Sequence, residues 1–264
     1  MRIARAVSFA WAVLLPLLGP ACTVAFAQTG RELIEASLHR YALPPSVYEE
    51  QTMILSDGLG RHTVRTLRFH AKRDASGTRR LLVIRTPEEL RGMAVLVTLD
   101  ANGGRRSGPP QSSPLFGSNM TNADYEDERP ADFSYEKEES QDLDRVTHHV
   151  LKAVPANEAV ARATGYGARR LYLRRDNLFV SRVDYLDRRG QLARRLTFRD
   201  VQADDTGAWR AGMILMEELR EDRRTLIKVD RRVNSADYVP EAVFKADGGA
   251  IRDETRPLLR AATR

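Results

Sequence analysis

The passage NMTNADYEDERPADFSYEKEES, residues 119–140, holds the densest charge in the chain. Eight of the sixteen residues from Asp124 to Glu139 are acidic, and only Arg129 and Lys137 answer them. Carboxylates this close could chelate calcium, share a proton as an acid–base pair, or stay in water. The calcium-loop spacing D-x-[DN]-x-[DN]-G is absent, and Asp124, Glu126 and Asp127 alone are generic. A glycosidase pair needs a fixed carboxyl separation that no sequence supplies. The five histidines, His39, His62, His70, His148 and His149, make no H-E-x-x-H or other zinc spacing. On a strand, His148 and His149 point to opposite faces and do not easily share an ion. There is no G-x-S-x-G elbow and no Walker loop. No Ser or Thr stands at an informative distance from a base. The expectation is a protein with no metal, no cofactor and no catalytic residues: not an enzyme.

Composition bounds the compartment. Arg2 and Arg5 precede an apolar stretch from Ala6 to Leu18, and Ala25-Phe26-Ala27 is an A-x-A cleavage site. Residues 1–27 therefore read as a secretory signal, and residues 28–264 as a single domain. The apolar run is shorter than the roughly 20 residues that span a bilayer. The one cysteine, Cys22, falls inside the signal, and the preceding Gly19-Pro20-Ala21 is a poor lipoprotein box. The remainder has no thiol, which is compatible with an oxidising compartment. The net charge of the chain is +6. Acids and bases interleave, which argues against a nucleic-acid stripe and leaves a weak attraction to an anionic membrane surface.

Chemistry-bearing residues need elements to hold them. Thr29-Gly30-Arg31-Glu32 fits a capping box, and Leu33, Ile34, Ser37, Leu38 and Tyr41 follow at helical spacing. Residues 47–55, 61–71, 79–85 and 92–98 read as strands, with hairpin turns at Asp57–Gly60 and Asp74–Gly77. The apolar face slips between Val64 and Leu67, as at a bulge. Leu81–Ile84 and Met93–Val97 are apolar on both faces, so both sides of the sheet are covered there. Residues 100–140 read as a long irregular loop. A strand over 145–154 and a short helix over 156–164, capped by Asn157 and Gly165, follow. The second half is an antiparallel meander with one apolar face and a charged face of Arg182, Asp184, Arg195, Arg199, Lys228 and Asp230. About eight long strands and one clear helix imply a mainly β protein: a large curved antiparallel sheet around a filling.

The meander concentrates large apolar side chains. Phe179, Val183, Tyr185, Leu196, Phe198, Trp209, Met213 and Ile227 would line either a plain core or a cavity for an apolar ligand. Four stretches then carry a resemblance in their order: TPEELRGMAVLV (86–97), FGSNMTNADYED (116–127), VDYLDRRGQLARRLTF (183–198) and 207–244, which closes on V-P-x-x-x-F. The chain resembles the outer-membrane lipoprotein-sorting protein family, with the LolA/LolB-like fold. It departs in TLDANGGRRSGPPQSSPL (98–115), which is shorter and more polar than the family's strand there, and in Asn119–Ala123.

The resemblance implies a half-barrel of about eleven strands with a few helices packed on its concave face. It implies a hydrophobic cavity whose rim is shaped by Tyr125, Glu126 and Asp127. It also implies a periplasmic, monomeric carrier or chaperone for a lipid or the acyl chain of a lipoprotein. The partners would then be an inner-membrane exporter or an outer-membrane acceptor, and no nucleic acid. The lid would be the helix at 31–41 or the segment 156–164. The alternative is a periplasmic sensor or adaptor of the same fold that binds a membrane protein.

Overall fold

The computed structural model describes residues 28–245; the expected signal, with its Cys22, and residues 246–264 lie outside the described residues. The described chain builds one helix, then strands, in a single twelve-stranded antiparallel sheet. Helix α1 is Gly30–Arg40. Strands β1 (Ser46–Ser56), β2 (His62–Asp74), β3 (Gly77–Thr86), β4 (Ala94–Asp100) and β5 (Arg105–Ser107) form one wing. Strands β6 (Phe133–Leu143), β7 (Val146–Pro155), β8 (Ala168–Arg174), β9 (Val180–Leu186), β10 (Leu192–Ala203), β11 (Trp209–Glu218) and β12 (Arg223–Val233) form the other. Helix α2 is Glu158–Thr164. The strand order runs from β5 through β1, across to β12, and on to β6. The sheet is therefore open, with β5 and β6 as edges.

Local chemistry explains the elements. The capping box of α1 is present: Glu32 N donates to Thr29 Oγ1 at 3.2 Å and Thr29 N donates to Glu32 Oε2 at 2.7 Å. The helix buries Leu33 and Ile34 against the concave side of the sheet, each worth about 1.5–3 kcal/mol of apolar transfer. Helix α2 starts on the Asn157 side chain and ends at Gly165, whose φ of 80° suits a residue without Cβ. The β2–β3 register shifts between Thr66 and Leu67, where the apolar face slips in the sequence.

The doubly apolar run of β3 divides between two cores. Leu82 and Ile84 join the main core on the concave side. Leu81 and Val83 join Tyr48, Val239 and Val243 in a second cluster on the other face, under residues 234–244. Both faces are covered here by chain rather than by water.

One expectation needs correction. Residues 100–140 are not a single long loop. Arg105–Ser107 pairs with β4, and Phe133–Leu143 is an eleven-residue edge strand paired with β7. The acidic half of that strand is uniform in polarity and shows no alternation, so it carries no period-2 signal. What remains irregular is the β5–β6 connection, residues 108–132. It lies over the concave side and drops Leu115 and Met120 into the main core.

Candidate functional site

Between the sheet, α1 and the β5–β6 connection lies a cavity of about 500 Å³. That is within the range of small-molecule pockets. Its apolar wall is built by alternation. On β9, Val183 and Tyr185 face inward, and on β10 Leu196 and Phe198 do the same. Phe198 pairs with Ile214 of β11, which also faces in. Helix α1 contributes Ile34, Ser37 and Leu38. An aromatic group closes one part of the wall: Phe179 stands 5.4 Å from Tyr41, 6.2 Å from Phe198 and 6.1 Å from Trp209.

The structure brings together Phe179, Val183, Tyr185, Leu196, Phe198 and Trp209 on this cavity. It does not bring Met213, which stands opposite Arg199 and Lys228 in the register and is absent from the lining. Trp209 and Met213 share a parity in sequence, yet only Trp209 faces the cavity. The reason is local. Asp200 takes φ 50°, and a Cβ on neighbouring Gly212 would sit 2.4 Å from the Asp200 carboxylate. The alternation slips at this point of both strands. Ile227 is fully buried in the core and does not line the cavity.

The connection crosses the mouth as a strap, and its acids hold it. Asp124 accepts from Arg194 of β10 at 3.0 Å. Glu126 pairs with Arg105 of β5 and accepts from Gln111 at 3.0 Å. Asp127 pairs with Arg80 of β3. Glu128 accepts from Arg169 of β8 at 2.7 Å. Four acids thus take arginines from four strands, two on each wing. The Tyr125 ring stands edge-on to Phe69 at 5.7 Å, and its hydroxyl donates to Gln51 Oε1 at 2.9 Å. Burial, with Glu49 nearby, raises the Tyr125 phenol well above its ordinary pKa. Of the three rim residues only Asp127 is exposed, while Tyr125 and Glu126 are tied inward as anchors.

Sequence reasoning missed the arginines. Arg80 and Arg169 occupy inward positions in the rows Arg80-Leu82-Ile84 and Arg169-Leu171-Leu173. Their spacing from apolar neighbours on alternate positions was the available signal. Arg169 is clamped by the rings of Phe133, at 4.3 Å, and Tyr166, at 5.1 Å. Deeper in the wall, Glu49 accepts from Arg232 at 2.6 Å and from Gln51 at 2.6 Å. Among the described residues, no group of three His, Cys, Asp or Glu stands close enough to hold a metal, and no helix is long and apolar enough to cross a membrane.

An open, coiled antiparallel sheet with a helix and a strap over its concave cavity is a LolA-like fold. A domain of an outer membrane lipoprotein-sorting protein from Vibrio parahaemolyticus superposes with a TM-score of 0.71 at 19% identity, covering 82% of this chain and 96% of that one. A DUF1329 family protein from Desulfovibrio piger gives 0.68 at 19% identity, covering 82% and 99%. A LolA superfamily protein from Nitrosomonas europaea gives 0.64 at 15% identity, covering 84% and 99%. A family model described as "Uncharacterized protein" matches residues 76–247, and the chain belongs to that family. Among curated proteins none matches.

Proposed function

We propose that this protein is a non-enzymatic periplasmic carrier or chaperone that shelters the acyl chain of a lipid or lipidated protein. The observation that supports this most is the cavity of about 500 Å³ with partly open aromatic walls at Phe198 and Trp209. Large apolar side chains left unpacked against protein are costly in a folded chain unless something apolar meets them. Each CH₂ of an acyl chain withdrawn from water contributes about 0.8 kcal/mol. A cavity of this kind therefore lets such a chain cross an aqueous space. The LolA-like fold agrees with a carrier role. By the same reading residues 28–264 act as one domain exported behind the signal at 1–27, with an envelope protein as donor or acceptor.

Helix α1 is the lid in this reading, because it lines the cavity whereas α2 does not. Much of its anchoring is polar and reversible. Ser37 Oγ donates to the Leu178 carbonyl at 2.8 Å, the Tyr41 hydroxyl to the Asn177 carbonyl at 2.8 Å, and Arg31 to the Phe133 carbonyl at 3.2 Å.

The test is native mass spectrometry of protein purified from an envelope fraction, followed by organic extraction. A co-purifying lipid or acylated peptide is expected, and F198E or W209E should lose it while keeping the fold. A ligand-free protein that also ignores a fluorescent fatty acid would overturn the reading and turn attention to an adaptor role.

A further inference from the structure

We infer that the ligand of this cavity is an anionic amphiphile, whose phosphate or carboxylate head is held by Arg80 and Arg169. The inference rests on the carrier reading above and adds the chemistry of the head. An acyl chain alone would ask only for apolar walls. This wall instead spends two inward strand positions on buried arginines, Arg80 at 7% exposure and Arg169 at 9%. Buried charge is costly unless it is fully paired.

Neither guanidinium is fully paired. Arg169 donates one bond to Glu128, and its Nε has no acceptor. The remaining contacts of that cation are the faces of Phe133 and Tyr166. Arg80 donates to the Tyr125 carbonyl at 3.0 Å, and its one acid among the described residues is Asp127. Its Nε and Nη2 both lack a hydrogen-bond acceptor, and Arg80 also lines a separate void of about 20 Å³ together with Asn122, whose Oδ1 has no donor. A void of that size has room for about one water. The exchangeable part of Arg80 is therefore its pair with Asp127.

That pair is lopsided. The Arg80 side chain is 9% exposed and that of Asp127 is 55% exposed. The Asp127 carboxylate can return to water, whereas Arg80 cannot follow it and is left needing another anion. An entering anion can take the place of Asp127 with no net change of buried charge. Arg80 and Arg169 both line this one cavity, as do the consecutive strap acids Asp127 and Glu128 that pair with them. Planar forks suit the paired oxygens of carboxylates and phosphates. The other carboxylates of the wall are engaged: Glu49 by Arg232, Asp124 by Arg194 and Glu126 by Arg105.

The experiment titrates the protein with a fluorescent long-chain carboxylic acid, its uncharged methyl ester and a matching alkyl phosphate. The acid and the phosphate should bind about tenfold more tightly than the ester, a difference of about 1.4 kcal/mol. R80M and R169M should remove that preference while leaving ester binding near the parent value. D127N keeps the site intact at an exposed position, so it should fold regardless, and it should tighten the acid and the phosphate but not the ester. Equal binding of acid and ester by the parent, or no gain in D127N, would overturn the head-group inference and leave the carrier reading standing. Failure of all three probes would overturn both. Comparison of the acid with the phosphate tells which head the site prefers.

Discussion

The acidic passage is one run in sequence and two regions in space. Its first half, Asp124 to Glu128, lies across the mouth of the half-barrel, and each of its four acids meets an arginine from a different strand. Its second half, Glu136 to Asp142, runs along the outer edge of the sheet, where among the described residues only Glu138 has a close arginine partner, Arg170 at 2.7 Å. Side-chain exposure separates them except at Asp127, which is 55% exposed: Asp124 is at 1%, Glu126 at 7% and Glu128 at 11%, whereas Glu136, Glu139 and Asp142 are exposed. Identical residue types thus fasten a strap in one place and keep an edge in water in the other. What differs is the dielectric around them. A buried pair loses its hydration and must be answered by geometry, while an exposed acid is screened and worth little.

The strongest way to break this contrast is to remove one partner of the buried half. Asp124→Ala removes the carboxylate that pairs with Arg194, whose side chain is 13% exposed, and leaves it the more distant Glu218 across the register. Asp124 also closes the turn through its bonds from Thr121 N and Oγ1, at 2.7 and 2.9 Å. The expected loss is about 3–5 kcal/mol, read as a lowered midpoint of urea unfolding. Asp124→Ala combined with Arg194→Met should recover part of it, since the uncompensated charge is gone. A single variant as stable as the parent would mean that this pair adds nothing to what Leu115, Met120 and the other three pairs supply.

A second test sharpens the rule with a buried group that has no acid to answer it. His70 lies at 4% exposure against Tyr48, with ring centroids 5.2 Å apart. Burial first, and then the positive charge of Arg68, push its pKa down to about 4, against a hydrogen bond with the Tyr238 backbone that favours the charged form. Arg169, buried with Glu128 beside it, moves the other way and holds its proton more tightly. For His70 the unfolded chain binds the proton first. Stability should be level above the ordinary value of about 6.5, fall as pH drops from about 6.5 to about 4, and level again below. The total is about 3 kcal/mol for that shift. His70→Phe should flatten this part of the pH profile. A variant with the same acid slope as the parent would assign the loss to other groups, including His148 and His149, which burial also pushes down.

Much of this architecture is legible in the sequence, and the illegible parts share a cause. The capping box at Thr29 and Glu32, the Asn157 and Gly165 caps and the strands of the meander follow from local rules that act within a few residues. The doubly apolar Leu81–Ile84 run announces two covered faces, although what covers the outer one is a segment some 160 residues later. Met213 was misread because alternation assumes an unbroken strand, and Asp200 with Gly212 breaks it. A similar slip at the β8–β9 bulge turns Ser181 away from Phe179 and Val183 toward His148, with 2.7 Å between Oγ and Nε2. Strand β6 was missed because an edge strand in water needs no apolar face. The arginine partners of the strap were invisible for a different reason. They lie on four strands, between 21 and 70 residues away from their acids, and only the closing of the sheet brings them together.

The smallest expected effect belongs to the outer half. Glu136→Ala, Glu139→Ala and Asp142→Ala should each change stability by no more than about 0.5 kcal/mol, as for exposed positions without a fixed partner. The physical role of these acids lies between molecules. Among the described residues β6 is an edge strand that pairs with β7; α1 packs on its start, at the Phe133 and Tyr135 carbonyls, and the acidic half beyond has backbone N–H and C=O groups facing away from the sheet. Like charges along such an edge oppose pairing with a second copy, and a bulge there, between Glu138 and Gln141, bends it away from a flat template. The triple variant should therefore unfold at nearly the parent's midpoint yet self-associate at lower concentration than the parent, as followed by sedimentation velocity. Added salt should move the parent in the same direction by screening the repulsion. Should the triple variant instead lose several kcal/mol and remain monomeric, the outer acids would be structural like those of the strap, and the two halves of the passage would obey one rule after all.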